Sequence, residues 1–166
     1  MLGEYDRAFQ ASERAREIFT RLGETRHIAR LENNVGNIFH RQDRFEEALA
    51  HYERAYGALA GYQEWEHAAV ALSNMAMCLI SLNDFPRALD CYKKARELCV
   101  KYDMPRLRDQ ADYNIAYLYY FRGEYSRAIE MLVATRQACE ASGNAYRIAL
   151  CYLDLSDIYL ELNLSE

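Results

Sequence analysis

Proline and glycine are scarce in this chain of 166 residues, with two of the first and seven of the second. So few breakers exclude a Pro/Gly-rich disordered or low-complexity segment. With 51% apolar and 27% charged residues, the chain is globular in composition and long enough to bury a sizeable core. No apolar run approaches the roughly 20 residues that a membrane span requires. The opening "MLGEYDRAFQ" lacks the basic-then-apolar order of an export signal, so a cytoplasmic location is expected. Net charge is −5 and the Lys and Arg residues are scattered, so the basic footprint of a nucleic-acid or anionic-membrane binder is missing. The five cysteines, Cys78, Cys91, Cys99, Cys139 and Cys151, form no CxxC pair and leave one over. A disulfide framework or structural zinc site fits poorly, and reduced thiols in small core positions fit better. Glycine-rich phosphate loops, dinucleotide fingerprints and Ser/His/Asp arrangements are all lacking.

What the sequence does have is a period of forty. "GEYDRAF", "DRFEEAL", "NDFPRAL" and "GEYSRAI" align without gaps, placing Tyr5, Phe45, Phe85 and Tyr125 one period apart in succession. Ala8, Ala48, Ala88 and Ala128 keep the same spacing. The other half of the unit aligns Asn34, Asn74, Asn114 and Asp154, then Val35, Met75, Ile115 and Leu155. Gly36, Ala76, Ala116 and Ser156 follow, and Phe39, Leu79, Tyr119 and Tyr159 close the set. Each unit reads as two helices. Gly23, Gly61 and Gly143 punctuate one junction, and Asp43, Asn83–Asp84 and Gly123 the other. Pro86 and Pro105 stand where a first helical turn tolerates a missing N–H. Helices are expected near 4–21, 25–41, 44–60, 64–81, 84–102, 105–121, 124–141 and 145–162. The apolar stripe of each pair is buried only by stacking on its neighbours, which makes a solenoid.

The order of small residue, aromatic, alanine, then Tyr52 or Tyr92, then Ala55 or Ala95, resembles the tetratricopeptide repeat over essentially the whole chain. One departure is the length of the unit, which exceeds the roughly 34 residues common in that family. It looks like the longer subclass, with an Asn-x-Gly/Ala signature, found in scaffold and bacterial signalling proteins. HEAT repeats share the longer period, but their kinked first helix and Asp/Arg pattern are not evident. The resemblance implies an all-α, right-handed superhelical solenoid of about eight antiparallel-paired helices. Units are expected at about 1–22 (second helix only), 25–61, 64–102, 105–142 and 145–166 (first helix only). The chain equals four periods plus six residues, with "NLSE" repeating the junction at Asn83, and its last helix is apolar on most sides. A fragment of a longer array is expected, against a complete small protein that caps itself by dimerising.

In this family the first helix of each pair lines the concave groove. Carried onto this sequence, the buried columns are those of Val35, Gly36 and Phe39. The groove columns are those of Arg30, Asn33, Asn34, Asn37, His40 and Arg41. Their equivalents are Val70, Ser73, Asn74, Met77, Ile80 and Ser81; then Gln110, Tyr113, Asn114, Tyr117, Tyr120 and Phe121; then Leu150, Leu153, Asp154, Asp157, Leu160 and Glu161. "YNIAYLYYF" is thereby split, with Ile115, Ala116 and Tyr119 inside and Tyr113, Tyr117, Tyr120 and Phe121 on the groove. An amide can pair with both faces of a peptide backbone, so Asn34, Asn74 and Asn114 either grip a peptide or tie neighbouring helices together. The family's carboxylate clamp requires Lys and Arg where this chain has Gln110 and Asn114, so a chaperone-tail role is disfavoured.

Chemistry beyond binding finds no support. His27 and His67 are one full period apart, as are His51 and Cys91. Equivalent positions on neighbouring repeats are too distant to share one metal ion. Asp154 and Asp157 share a helix face without a base beside them. The runs "ERARE" and "KKARE" read as solvated convex faces. No enzyme, cofactor or metal is expected. The expected partner is a peptide or protein in the groove, acidic near the first unit and with apolar or aromatic anchors over the tyrosines. The alternatives are a segment that self-associates through its end helices, or the sensor or scaffold part of a larger signalling protein.

Overall fold

The computed structural model describes residues 2–163, and among them every regular element is an α-helix. In order these are α1 (Leu2–Leu22), α2 (Thr25–His40), α3 (Phe45–Gly61), α4 (Trp65–Ser81), α5 (Phe85–Lys101), α6 (Pro105–Phe121), α7 (Tyr125–Ser142) and α8 (Ala145–Asn163). From α2 onward the helices start at an even spacing of half a period, at 25, 45, 65, 85, 105, 125 and 145. Seven starts lie within one residue of the sequence expectation, and α1 begins two residues earlier. The expected junction at 164–166 lies outside the described residues.

The turns explain this regularity. Residues 23, 43, 63, 83, 103, 123 and 143 all have positive φ, between 50° and 73°. The next residue in each case returns its N–H to a carbonyl five positions back, as Glu24 does to Phe19 at 2.9 Å and Asp84 does to Leu79 at 2.8 Å. That is the Schellman closure of a helix end, which satisfies carbonyls that would otherwise be orphaned. One expectation is corrected here. Gly61 is the last residue of α3, not a turn, and the left-handed position is Gln63 at φ 60°.

The helices fall into two compact units, one running to Ala95 and the other starting at Arg96, within α5. In the first unit α1 packs on α2, α2 on α3 and α3 on α4, and α2 also touches α4. Short turns make sequential helices antiparallel, so α2 and α4 run the same way. Their core is dense with alanine: Ala48, Ala55, Ala68, Ala71 and Ala76 are fully buried beside Val35, Tyr52, Leu59, Leu72 and Leu79. In the second unit α6, α7 and α8 close around Ala116, Ala128, Leu132, Cys151, Leu155 and Ile158. Two positions expected inside, Ser156 and Tyr159, are exposed on α8, because no described helix follows to cover them. All five thiols are free and buried. Burial pushes Cys78 up to about 12 and Cys139 and Cys151 up to about 11, so they stay protonated.

Candidate functional site

In the first unit α2 and α4 lie side by side, and their facing residues form a recess of about 230 Å³ lined by Asn37, His40, Arg41, Tyr52, Asn74 and Met77. Five of those six are residues the sequence places on the groove; Tyr52 comes from α3. Tyr52 is buried, and its hydroxyl donates to Asn37 Oδ1 at 2.7 Å. That bond leaves the Asn37 amide N–H groups to point elsewhere. Asn74 Nδ2 donates to Asn33 Oδ1 at 3.1 Å, so the amide pair bridges α4 to α2. Asn74 keeps its carbonyl and a second N–H for another partner. The Asn column is therefore not a plain ladder: Asn74 pairs with Asn33, while Asn34 is exposed and its side chain makes no hydrogen bond among the described residues. His40 packs edge-on against Phe45 at 5.4 Å. Arg30 is less available than its position suggests, since Glu64 holds its guanidinium at 2.7 Å. The basic character at this end rests on Arg41, whose guanidinium has no ion-pair partner among the described residues, and on His40.

In the second unit the corresponding face is made by α6 and α8, and it is aromatic and acidic. Tyr113 and Tyr117 stack with centroids 6.5 Å apart, and Tyr117 meets Tyr120 edge-on at 6.1 Å. Tyr117 and Phe121 are exposed, whereas Tyr113 and Tyr120 also pack against the core. Tyr120 donates to Glu161 Oε1 at 3.0 Å and Tyr125 to Oε2 at 2.5 Å. The bond to that carboxylate pushes the Tyr120 phenol up to about 12. Asn114 accepts from Gln110 at 2.7 Å, and Gln110 in turn takes Arg147, whose guanidinium lies 4.8 Å over the Tyr113 ring. Asp154, expected on the groove, is buried instead, on the side of α8 that packs toward Tyr113 and the core. Burial raises its carboxyl; a hydrogen bond from Tyr113 opposes this and the charge of Asp157 adds to it.

A cluster around Glu32 escaped the sequence reading. This buried carboxylate accepts from Arg16 at 2.5 Å, His51 at 2.8 Å and Arg54 at 3.1 Å, tying α1, α2 and α3 together. Arg16 belongs to "ERARE", so that run is not merely a solvated face. A signal was present in the spacing. Arg16 to Glu32, Arg96 to Asp112 and Arg136 to Tyr152 are all pairs 16 residues apart. Likewise Asn33 with Asn74 and Tyr120 with Glu161 are both 41 apart.

A model of the tetratricopeptide repeat matches residues 1–60 and again residues 28–101. No curated protein gives a sequence match. Among solved structures, the apo form of RapI is similar with a TM-score of 0.85 at 18% identity, covering 96% of this chain and 58% of RapI. A Rap protein complexed with competence and sporulation factor gives 0.77 at 19% identity, covering 92% of this chain and 46% of that one. A signal transduction ATPase with numerous domains from Pyrococcus horikoshii, which carries a tetratricopeptide repeat sensor, gives 0.82 at 14% identity, covering 96% and 25%. This chain spans less than two thirds of each of these proteins, and identities so low show the fold alone. Matched by the repeat model over most of its length, the chain belongs to the tetratricopeptide repeat family.

Proposed function

We propose that the chain is a protein-interaction module that binds a peptide or partner protein on the faces of its first-in-pair helices, α2 with α4 and α6 with α8. The observation that carries this reading is the recess between α2 and α4. Its amides from Asn37 and Asn74 retain unused donors and acceptors, Arg41 brings an uncompensated charge, and Met77 offers an exposed apolar contact. Such a surface pairs with a peptide backbone and one acidic group without chemistry of its own. A Rap protein complexed with competence and sporulation factor and a tetratricopeptide repeat sensor in an ATPase are similar in fold and support the reading. The repeats fit the longer-unit subclass, read as one array with units at 1–22, 25–61, 64–102, 105–142 and 145–166. A cytoplasmic setting suits five reduced, buried thiols. The scattered basic residues argue for a protein partner rather than nucleic acid. The signal transduction ATPase carries its tetratricopeptide repeat as a sensor, and this array would likewise serve as the sensing or scaffolding part of a larger signalling protein.

The test is a randomised peptide array probed with the purified chain and with Asn74→Ala and Met77→Ala variants. Binding that the variants weaken about tenfold or more, with helicity unchanged, is the expected result. Peptides held equally by all three chains would sink the recess as the site. A second reading is favoured by α8, whose Tyr146, Tyr152, Leu153, Tyr159 and Leu160 are all exposed: two copies meeting through that face. Light scattering that shows a dimer with no peptide captured on the array would select it.

A further inference from the structure

The tyrosine face of the second unit has features that an apolar or aromatic anchor, as the sequence suggests, would leave unused. Three carboxylates rise along α8 beside those rings, at Asp154, Asp157 and Glu161, one turn apart. Glu161 is occupied by the hydroxyls of Tyr120 and Tyr125. Asp157 is exposed, and its side chain makes neither a hydrogen bond nor an ion pair among the described residues. Its charge reaches both Tyr120 and Asp154. Asp154 is only 6% exposed, and its Oδ2 has no hydrogen-bond partner among the described residues. Asp154 thus carries a buried acceptor that the chain itself leaves unused.

The rings point the same way. Within this unit the faces of Tyr113, Tyr119 and Tyr152 are each covered by an arginine of the chain itself: Arg147 at 4.8 Å, Arg127 at 5.7 Å and Arg136 at 5.0 Å. Tyr117, flanked by Tyr113 and Tyr120, is 44% exposed and has no cation over it among the described residues. Tyr120 links ring and carboxylate, meeting Tyr117 edge-on and feeling the charge of Asp157. An open aromatic face and an uncompensated carboxylate on one α6–α8 surface are what a guanidinium or ammonium group seeks.

We propose that the α6–α8 face is a binding site for a cationic side chain, a lysine or arginine of the partner peptide. Its charged head lies over Tyr117 and against Asp157, with Asp154 as the acceptor beneath. This rests on the reading of the helix faces as a peptide-binding surface and names the chemistry that one of them takes. The recess of the first unit, with Arg41 and amide donors, calls for the opposite charge. Complementary charge of this kind fixes orientation and register more than affinity.

The test titrates the purified chain with n-butylammonium and ethylguanidinium chloride while NMR shifts of backbone amides and tyrosine rings are followed. Butanol serves as the neutral counterpart and sodium chloride holds ionic strength. Saturating shifts confined to Tyr117, Asp157 and their neighbours, given by the two cations and not by butanol, are expected. Asp157→Asn and Tyr117→Leu should each weaken the response about threefold or more, with Tyr117→Phe retaining it. Shifts that match those from butanol or from salt alone, or that survive Asp157→Asn unchanged, overturn the proposal. The peptide array separates this outcome from the broader reading. Bound peptides that depend on Asn74 yet show no preference for Lys or Arg overturn the cation site and leave the module intact. A cation response with no peptide bound does the reverse.

Discussion

Gly36 shows how finely a single position is set. A Cβ built there would lie 2.6 Å from Cε1 and 2.8 Å from Cδ1 of Tyr52. The ring cannot swing aside, because it is buried and its hydroxyl is held by Asn37. Gly36→Ala should therefore destabilise the first unit by about 1–3 kcal/mol, the ordinary cost of overpacking a core. It should also disturb the recess by moving Tyr52 and Asn37 together. Thermal unfolding of the variant checks the first effect, and amide shifts of Asn37 the second. A variant as stable as the parent would show that the ring has room after all. The small-residue column was legible in the sequence as Gly36, Ala76, Ala116 and Ser156. Why the first member has to be glycine was not, since that depends on where one tyrosine ring comes to rest.

Among the elements, the turns carry the regularity. Four of the seven left-handed positions hold residues other than glycine: Asp43, Gln63, Asn83 and Asp103. Asp and Asn tolerate this conformation better than most side chains, and Gln has no such excuse. Gln63→Gly should stabilise the chain by about 0.5–1 kcal/mol, the relief of a strained φ less the entropy of a glycine in the unfolded state. Chemical denaturation at matched conditions measures this, and a destabilised variant would mean that the glutamine side chain makes up its strain through contacts. The same turns mark what could be read beforehand. Gly61 looked like the punctuation because glycine is the usual signal, yet the helix runs through it and the Schellman closure falls two residues later. A gapless half-period spacing from Gly23 and Gly143 points to position 63; residue type alone does not. Side-chain pairing across helices followed the same logic. Offsets of 16 and 41 residues recur, and only the stacked helices show which side chains at those offsets meet. The Asn column was thus legible as a column, and its pairing of Asn74 with Asn33 was not.

For the whole molecule, one buried carboxylate in each unit answers acid in the opposite way to the other. Burial by itself would raise the Glu32 carboxyl, but hydrogen bonds from Arg16, His51 and Arg54, with the charge of Arg16, outweigh it and hold it below its ordinary value. A depressed carboxyl contributes stability above its unfolded-state value of about 4.3 and loses it as pH falls through the lower folded value. Asp154 is the reverse. Burial raises it despite the bond from Tyr113, so its contribution is fully present below the unfolded aspartate value of about 3.9 and fades as pH rises through the folded one. Glu32→Gln should therefore cost the first unit about 2 kcal/mol at neutral pH and progressively less in acid. Asp154→Asn should gain on the parent as pH rises, by on the order of 1 kcal/mol near neutrality, because the amide cannot ionise. Hydrogen exchange read separately from the amides of α2 and α3 and from those of α6 and α8 resolves the two effects, after correction for intrinsic rates. If Asp154→Asn instead falls further behind the parent as pH rises, its carboxylate is being satisfied as an anion. Arg147, whose Nε is also buried without a partner, would then be the group to which that charge is bound.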